Sequence, residues 1–465
     1  MHLIPQTWAH LHMLVSVFPS VGLLIVMGVY VSALSTNNEG MKRVCLALIG
    51  ALGVLAIPTY ISGIGSQGQV ANNPRFSPAA IATHLNISYA ALAALAVAGA
   101  AALYELWQYR STGYLTKLGR NIVLGAGGVT LVLMAIVGEL GWELDHQELF
   151  LDPAKQMTSQ YWSHVHMILN HFPTVGITLT LVLFVSALVM KNDGMKRVSL
   201  TLFAIFGILG APTYVTGAAA MWALKDFTQY GTISQAAINA HRDMALLSLF
   251  GLGFTGVVAY FELWRYRYLK RFSDTMLYLV LTSAVVTFAF MAETGHRGGQ
   301  INHPEIRIDP LPVDANAFWS PHIESLINNV IWFVPWQTVH FFGYSLVFGT
   351  VLAVVLRIFG FWKSVPFSAV HRLLPLGVMG VTMNIFTGML MLMADTFRYV
   401  NEVTFVPKMF MLPIGAIAVL YFSLSDSLFQ TKAGEDAPAT AKWVAALVLI
   451  AWTTVIMGGR LLPYV

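Results

Sequence analysis

Long apolar runs dominate this chain, and its polar residues gather in short clusters between them. Runs of about 20 apolar residues, the length that carries a helix across a bilayer, lie near 13–34, 42–63, 80–107, 121–140, 166–189 and 197–220. Six more lie near 236–264, 275–293, 338–358, 372–394, 405–425 and 442–460. In hydrocarbon, a segment must satisfy its own backbone hydrogen bonds, so each run is expected to be a helix. The expected fold is an all-α polytopic membrane protein with about twelve transmembrane helices.

The polar clusters repeat. His10-Leu-His12-Met and Phe18-Pro19-Ser-Val-Gly22 return as His164-Val-His166-Met and Phe172-Pro173-Thr-Val-Gly176. Gly40-Met-Lys-Arg-Val44 returns as Gly194-Met-Lys-Arg-Val198, and Pro58-Thr-Tyr60 with Gly63 returns as Pro212-Thr-Tyr214 with Gly217. One offset, about 154 residues, links all these pairs, which marks a duplicated structural unit. Residues 1–150 and 151–300 are therefore read as tandem four-helix repeats. Residues 301–335 are read as an extracytoplasmic loop, and 336–465 as a C-terminal four-helix unit without the repeated motifs. An even number of spans gives both repeats one orientation, related by a pseudo-twofold axis along the membrane normal.

Composition agrees with the pattern. The chain has 465 residues, 57% of them hydrophobic and 10% charged, where a soluble domain carries about 25% charged residues. The lone cysteine, Cys45, excludes an internal disulfide. About 17 of the 26 Lys and Arg fall in connections on one side of the expected membrane, which the positive-inside rule makes cytoplasmic. Acids including Glu143, Asp145, Glu148, Asp152, Glu305, Asp309 and Asp314 fall on the other. The expectation is a multi-pass protein of the cell inner membrane with both termini periplasmic. Its basic excess reflects orientation and points to no nucleic acid. A loop over 294–337, with Trp319, Trp332 and Trp336 in an interfacial belt, is a candidate docking surface for a periplasmic partner.

Each repeat places histidines and one carboxylate at the outer ends of its helices. His12, His84 and Glu139 in the first correspond to His166, His241 and Glu293 in the second. Ionisable residues at membrane depth mark functional sites, and two level histidines on different helices of a bundle can ligate a haem iron from both faces. Residues two apart point about 200° away from each other on a helix. His10 and His12 thus cannot both face the bundle unless the helix starts between them, and the same holds for His164 and His166. The expected ligands are His12 with His84 and His166 with His241, one b-type haem per repeat. A non-haem metal on the same residues and a purely structural role are the alternatives. Glu139 and Glu293 are candidate proton acceptors for a bound quinol. Glu105 and Glu262 are expected to pair with Arg110 and Arg267, and His371 to contact headgroups. His340 is a ligand candidate with no evident partner.

His166-Met-Ile-Leu-Asn-His171-Phe-Pro173 resembles the His-x4-His-Phe-Pro opening of a four-helix membrane protein family of unknown function. Pro212-Thr-Tyr-Val-Thr-Gly217, His241 and His296-Arg-Gly-Gly299 are similar to its later motifs. The likeness is fuller in the second repeat, because Val17 replaces the second histidine and the His-x-Gly-Gly is missing near Trp142. It implies that a site using His171 or His296 exists in the second repeat alone. The C-terminal unit, from Trp336-Gln-Thr-Val-His340, resembles another uncharacterised multi-helix membrane family, associated with redox proteins.

The leading expectation is a membrane-integral electron-transfer subunit. It would pass electrons between a periplasmic redox partner, such as a c-type cytochrome or a dehydrogenase, and membrane quinone. A non-catalytic membrane anchor or scaffold of a periplasmic redox complex is the alternative, and a transporter is the third.

Overall fold

A computed structural model describes residues 7–70, 77–145, 156–224, 233–302 and 319–461. Among the described residues twelve helical segments are long and apolar enough to cross a membrane, so the chain is an all-α, multi-pass membrane protein. The helices are α1 (Trp8–Ser35), α2 (Glu39–Val70), α3 (Pro78–Thr112), α4 (Lys117–Asp145), α5 (Gln156–Val189), α6 (Asp193–Ala223), α7 (Gln235–Leu269) and α8 (Asp274–Asn302). They continue as α9 (Trp319–Ile327), α10 (Val330–Phe359), α11 (Phe367–His371), α12 (Leu374–Ala394), α13 (Thr396–Asn401), α14 (Phe405–Leu424), α15 (Asp426–Phe429) and α16 (Ala439–Leu461). A π-helical turn, Phe18–Gly22, interrupts α1 at Pro19. Proline lacks the amide hydrogen that the α-helical ladder needs. The matching Pro173 lies inside the helix α5.

Several helices run past the expected spans at the end where α1 begins, called the outer end below. There α2 continues to Val70 and α8 to Asn302. His296, Gly298 and Gly299, expected in the long loop, are instead helical, and α9 with the start of α10 takes up more of that segment. The remainder, with His303, Glu305, Asp309 and Asp314, lies outside the described residues, as do Glu148 and Asp152.

The chain folds into two compact units. The first comprises Met1–Leu202, Asp226–Ile238 and Met291–Val313; the second comprises Phe203–Lys225, Asn239–Phe290 and Asp314–Val465. The core of the first unites Leu23, Tyr30 and Ala33 of α1, Met41, Cys45 and Ile49 of α2, and Ala91, Leu95 and Ala98 of α3 with Val175, Leu179 and Leu183 of α5. Small residues bring α2 and α3 together, because a Cβ on Gly53 would lie 2.8 Å from the Gly99 Cα. Close backbone approach through glycine is how membrane helices gain packing when water does not drive them together.

In the second unit, Val351, Val354 and Ile358 of α10 pack with Leu374 of α12, Val419 of α14 and Val448 of α16. Arg357 is buried yet satisfied. It donates to the carbonyls of Val365, Lys432 (2.9 Å) and Glu435 (3.3 Å). One guanidinium thus ties two connections to the end of α10, as its fork of donors permits.

Candidate functional site

The first unit contains the seam between the repeats, and its inner end is reciprocal. Asn38 Nδ2 donates to Asn192 Oδ1 at 3.0 Å, and Asn192 Nδ2 donates back to Asn38 Oδ1 at 2.9 Å. These residues are 154 apart, so the pseudo-twofold axis passes between them. Each Asn also accepts from the amide three residues on, Met41 and Met195, and so caps its following helix. The preceding residues, Asn37 and Lys191, both take φ of 50°. The turn geometry therefore survives although the residue type changed. Farther out, Gly22 lets α1 lie against Val175 and Leu179 of α5.

The outer end of the same seam carries the ionisable groups. His10 on α1 lies against His296 on α8, ring centroids 5.4 Å apart and planes inclined by 32°. The equivalent His164 on α5 approaches Glu139 on α4, with 3.3 Å between Nε2 and Oε2. Each repeat thus sends the same histidine to the last helix of the other. The two halves differ in depth: His10 is 2% exposed, whereas the Glu139 side chain is 52% exposed.

Glu293 stands one turn before His296 on α8, and its side chain is 12% exposed. Arg297 Nε donates to Glu293 Oε1 at 2.8 Å. Glu293 Oε2 and His10 Nδ1 are buried with no hydrogen-bond partner among the described residues. Buried polar atoms are nearly always satisfied in native structures, by protein or by ordered water, so these two are open to a water or a small molecule. His296 Nε2 lies 3.2 Å from Gln300 Nε2.

The other expected residues are placed differently. Thr7 caps α1, which starts at Trp8, so His10 and His12 are both helical and diverge. His12 turns to α2, with Nδ1 3.2 Å from the Thr59 carbonyl and 3.3 Å from Ser62 Oγ. A carbonyl only accepts, so Nδ1 carries a proton. His84 packs toward Gly141 of α4, where an added Cβ would meet its ring at 3.2 Å. His171 Nδ1 bonds to the Met167 carbonyl of its own helix. His166 falls in the first compact unit and His241 in the second. Among the described residues no group of three or more His, Cys, Asp or Glu is placed to hold a metal ion.

Three further expectations are corrected. Glu105 does not serve Arg110; it accepts from Thr116 N (2.6 Å) and Thr116 Oγ1, at the start of α4. Glu262 likewise accepts from Ser273 N and pairs with Arg265 at 2.7 Å. Both acids stabilise a helix N-terminus, where exposed amides and the helix dipole favour negative charge. Arg267 pairs with Asp426 and donates to the Ser423 carbonyl at 3.1 Å. His371 touches no headgroup, being buried between Tyr268 Oη (2.8 Å) and the Ser423 carbonyl (3.1 Å). His340 does have a partner, Thr387 Oγ1, at 2.8 Å.

Reasoning from the sequence passed over the reciprocal asparagines, although a signal was present. Asn38-Glu-Gly-Met41 and Asn192-Asp-Gly-Met195 extend the repeated stretch by two positions. Compared with protein-family models, curated proteins and solved structures, the chain matches none.

Proposed function

We propose that this chain is the membrane-integral subunit of an electron-transfer complex, with a quinol site at the outer end of the repeat seam. The observation that carries this reading is the pair of orphaned buried atoms, Glu293 Oε2 and His10 Nδ1, beside His296. Oxidation of a quinol to a quinone releases two protons and two electrons. Glu293 Oε2 accepts the proton of one hydroxyl, and the imidazole of His10 accepts the other. Arg297, bonded to the second carboxylate oxygen, holds Glu293 in place. Both electrons pass, one at a time, to an acceptor and on to a redox partner at the outer face. Glu139 with His164 is the second, more open copy of the site.

A b-type haem would supply the one-electron chemistry in this reading, and His12 with His84 are the residues that would hold it in the first repeat. A second group bonded to Nδ1, as the Thr59 carbonyl is to His12, is the usual way a ligating histidine is oriented. The placement of most Lys and Arg on one side supports an inner-membrane protein with both termini in the periplasm.

Two measurements test the reading separately. The purified chain is expected to show the Soret band of low-spin haem; an iron-free, colourless preparation that assembles normally removes the haem. Quinol binding, followed by displacement of a quinone analogue, is expected to weaken in Glu293→Gln. Unchanged binding removes the quinol site whatever the spectrum shows.

A further inference from the structure

The two repeats differ in what covers their second and third helices. In the second compact unit, the α6–α7 face is packed against the C-terminal helices. Ala204 and Tyr260 cluster with Leu420 of α14, joined by Ile205, Phe261, Trp264 and Val378. Ile208 packs onto the core formed by α10, α12, α14 and α16. Two polar contacts pin this packing: Tyr260 Oη with Ser423 Oγ at 3.0 Å, and Arg267 with Asp426. Arg267 also lies over the Phe429 ring.

The α2–α3 face of the first repeat has the same construction and, among the described residues, no cover. Gly53 and Gly99 make the close crossing that Gly207 and Gly256 make in the second repeat. Around it runs an apolar groove of about 500 Å³, lined by residues including Val54, Ile57, Tyr60, Tyr89 and Leu103. Ile57 is 60% exposed where its counterpart Ala211 is 0%, and Leu103 is 45% exposed where Tyr260 is 3%. Trp107, the counterpart of Trp264, is 66% exposed. At the inner end, Arg110 occupies the position of Arg267. It makes no ion pair or hydrogen bond among the described residues.

We infer that the α2–α3 face of the first repeat is a docking site for a separate membrane subunit, whose helices carry a carboxylate that meets Arg110. The duplication is what points to such an occupant. The equivalent face already binds a four-helix unit, and does so with an aspartate on the equivalent arginine. Charge selects among occupants. A twofold dimer through this face would bring Arg110 toward its own copy, and like charges at an interface cost binding energy. Lipid, with chains in the groove and phosphates on Arg110, is the competing occupant that the test below separates from a protein subunit. Neither the histidines nor Glu293 take part, so this docking site stands apart from the redox reading.

The test is photo-crosslinking in the native membrane, with benzoylphenylalanine placed at Ile57 or Tyr104 of the full chain. Val132 on α4, also exposed, is the control. The expected result is one membrane-protein adduct at both test sites and none at Val132. Arg110→Glu is expected to lower the yield about tenfold, a loss of about 1.4 kcal/mol, and converting one acid of the adduct protein to Arg restores it. Should Arg110→Glu perturb assembly, Ile57→Trp serves instead, blocking the groove without changing charge and removing the Tyr104 adduct. Adducts with lipid alone or with a second copy of this chain would overturn the inference. So would a Tyr104 yield indifferent to Ile57→Trp.

Discussion

The two ends of the repeat seam are built on opposite principles. At the inner end, Asn38 and Asn192 exchange hydrogen bonds, and each caps the helix that follows. The reciprocal bonds, the caps and the turn geometry each have their copy. At the outer end, His10 meets His296 while its equivalent His164 meets Glu139. One half is buried with unsatisfied atoms and the other is half open. The reciprocal asparagine pair is satisfied and ties the two repeats together. The asymmetric end leaves Glu293 Oε2 and His10 Nδ1 without a partner among the described residues.

This contrast can be broken by mutation. The largest effect is expected from Glu293→Gln, which removes the proposed proton acceptor. General-base catalysis contributes about a hundredfold or more, so quinol oxidation should fall by about that factor with the unfolding temperature held. An equal loss of stability and activity would make Glu293 structural. His10→Ala should lower the rate less, about tenfold, and leave the cluster folded. Rate retained at the parent level would remove His10 from the site.

The inner end should answer in stability instead. Asn38→Leu leaves the Asn192 amide without its partner, at a cost of about 1–3 kcal/mol, readable by unfolding in detergent. Asn38→Leu with Asn192→Leu should cost less than the sum of the single changes, because neither amide is then stranded. Strict additivity would mean that the reciprocal bonds contribute nothing. The smallest change belongs to Glu139→Gln. Its pair with His164 is half exposed, and such pairs contribute about 0–1 kcal/mol. A stability loss as large as that of Asn38→Leu would erase the distinction between the ends.

Much of this architecture is legible in the residues. The twelve apolar runs match the twelve spanning helices because lipid leaves a long apolar segment no other backbone solution. The 154-residue offset anticipates a twofold seam, and Asn38 with Asn192 obeys that offset to the residue. The helix ends are less legible. Hydropathy stops counting where polar residues begin, yet α8 continues through His296, Gly298 and Gly299 to Asn302. For that reason the second repeat's His-x-Gly-Gly stretch is read as loop in sequence but stands on a helix facing His10.

Side-chain partners are the least legible. Nearness in sequence pairs Glu105 with Arg110 and Glu262 with Arg267, although residues five apart do not share a helix face. The carboxylates instead accept from the first amides of the next helix, a choice made by the tight turn that returns the chain. His371 beside Arg372 reads as a headgroup contact, but packing of Tyr268 and Ser423 against it takes it out of water.

By itself, then, the sequence determined the element type, the number of spans, the duplication and the pool of candidate histidines. Each of these follows from local hydrophobicity or from identity at a constant offset. Only the tertiary structure decided that His10 rather than His12 meets the second repeat, and that, among the described residues, Glu293 keeps an unpaired oxygen and Arg267 has an acid while Arg110 has none. Those outcomes depend on helix rotation and on which faces are covered. Two copies of one motif carry the same local information, so only their different surroundings set them apart.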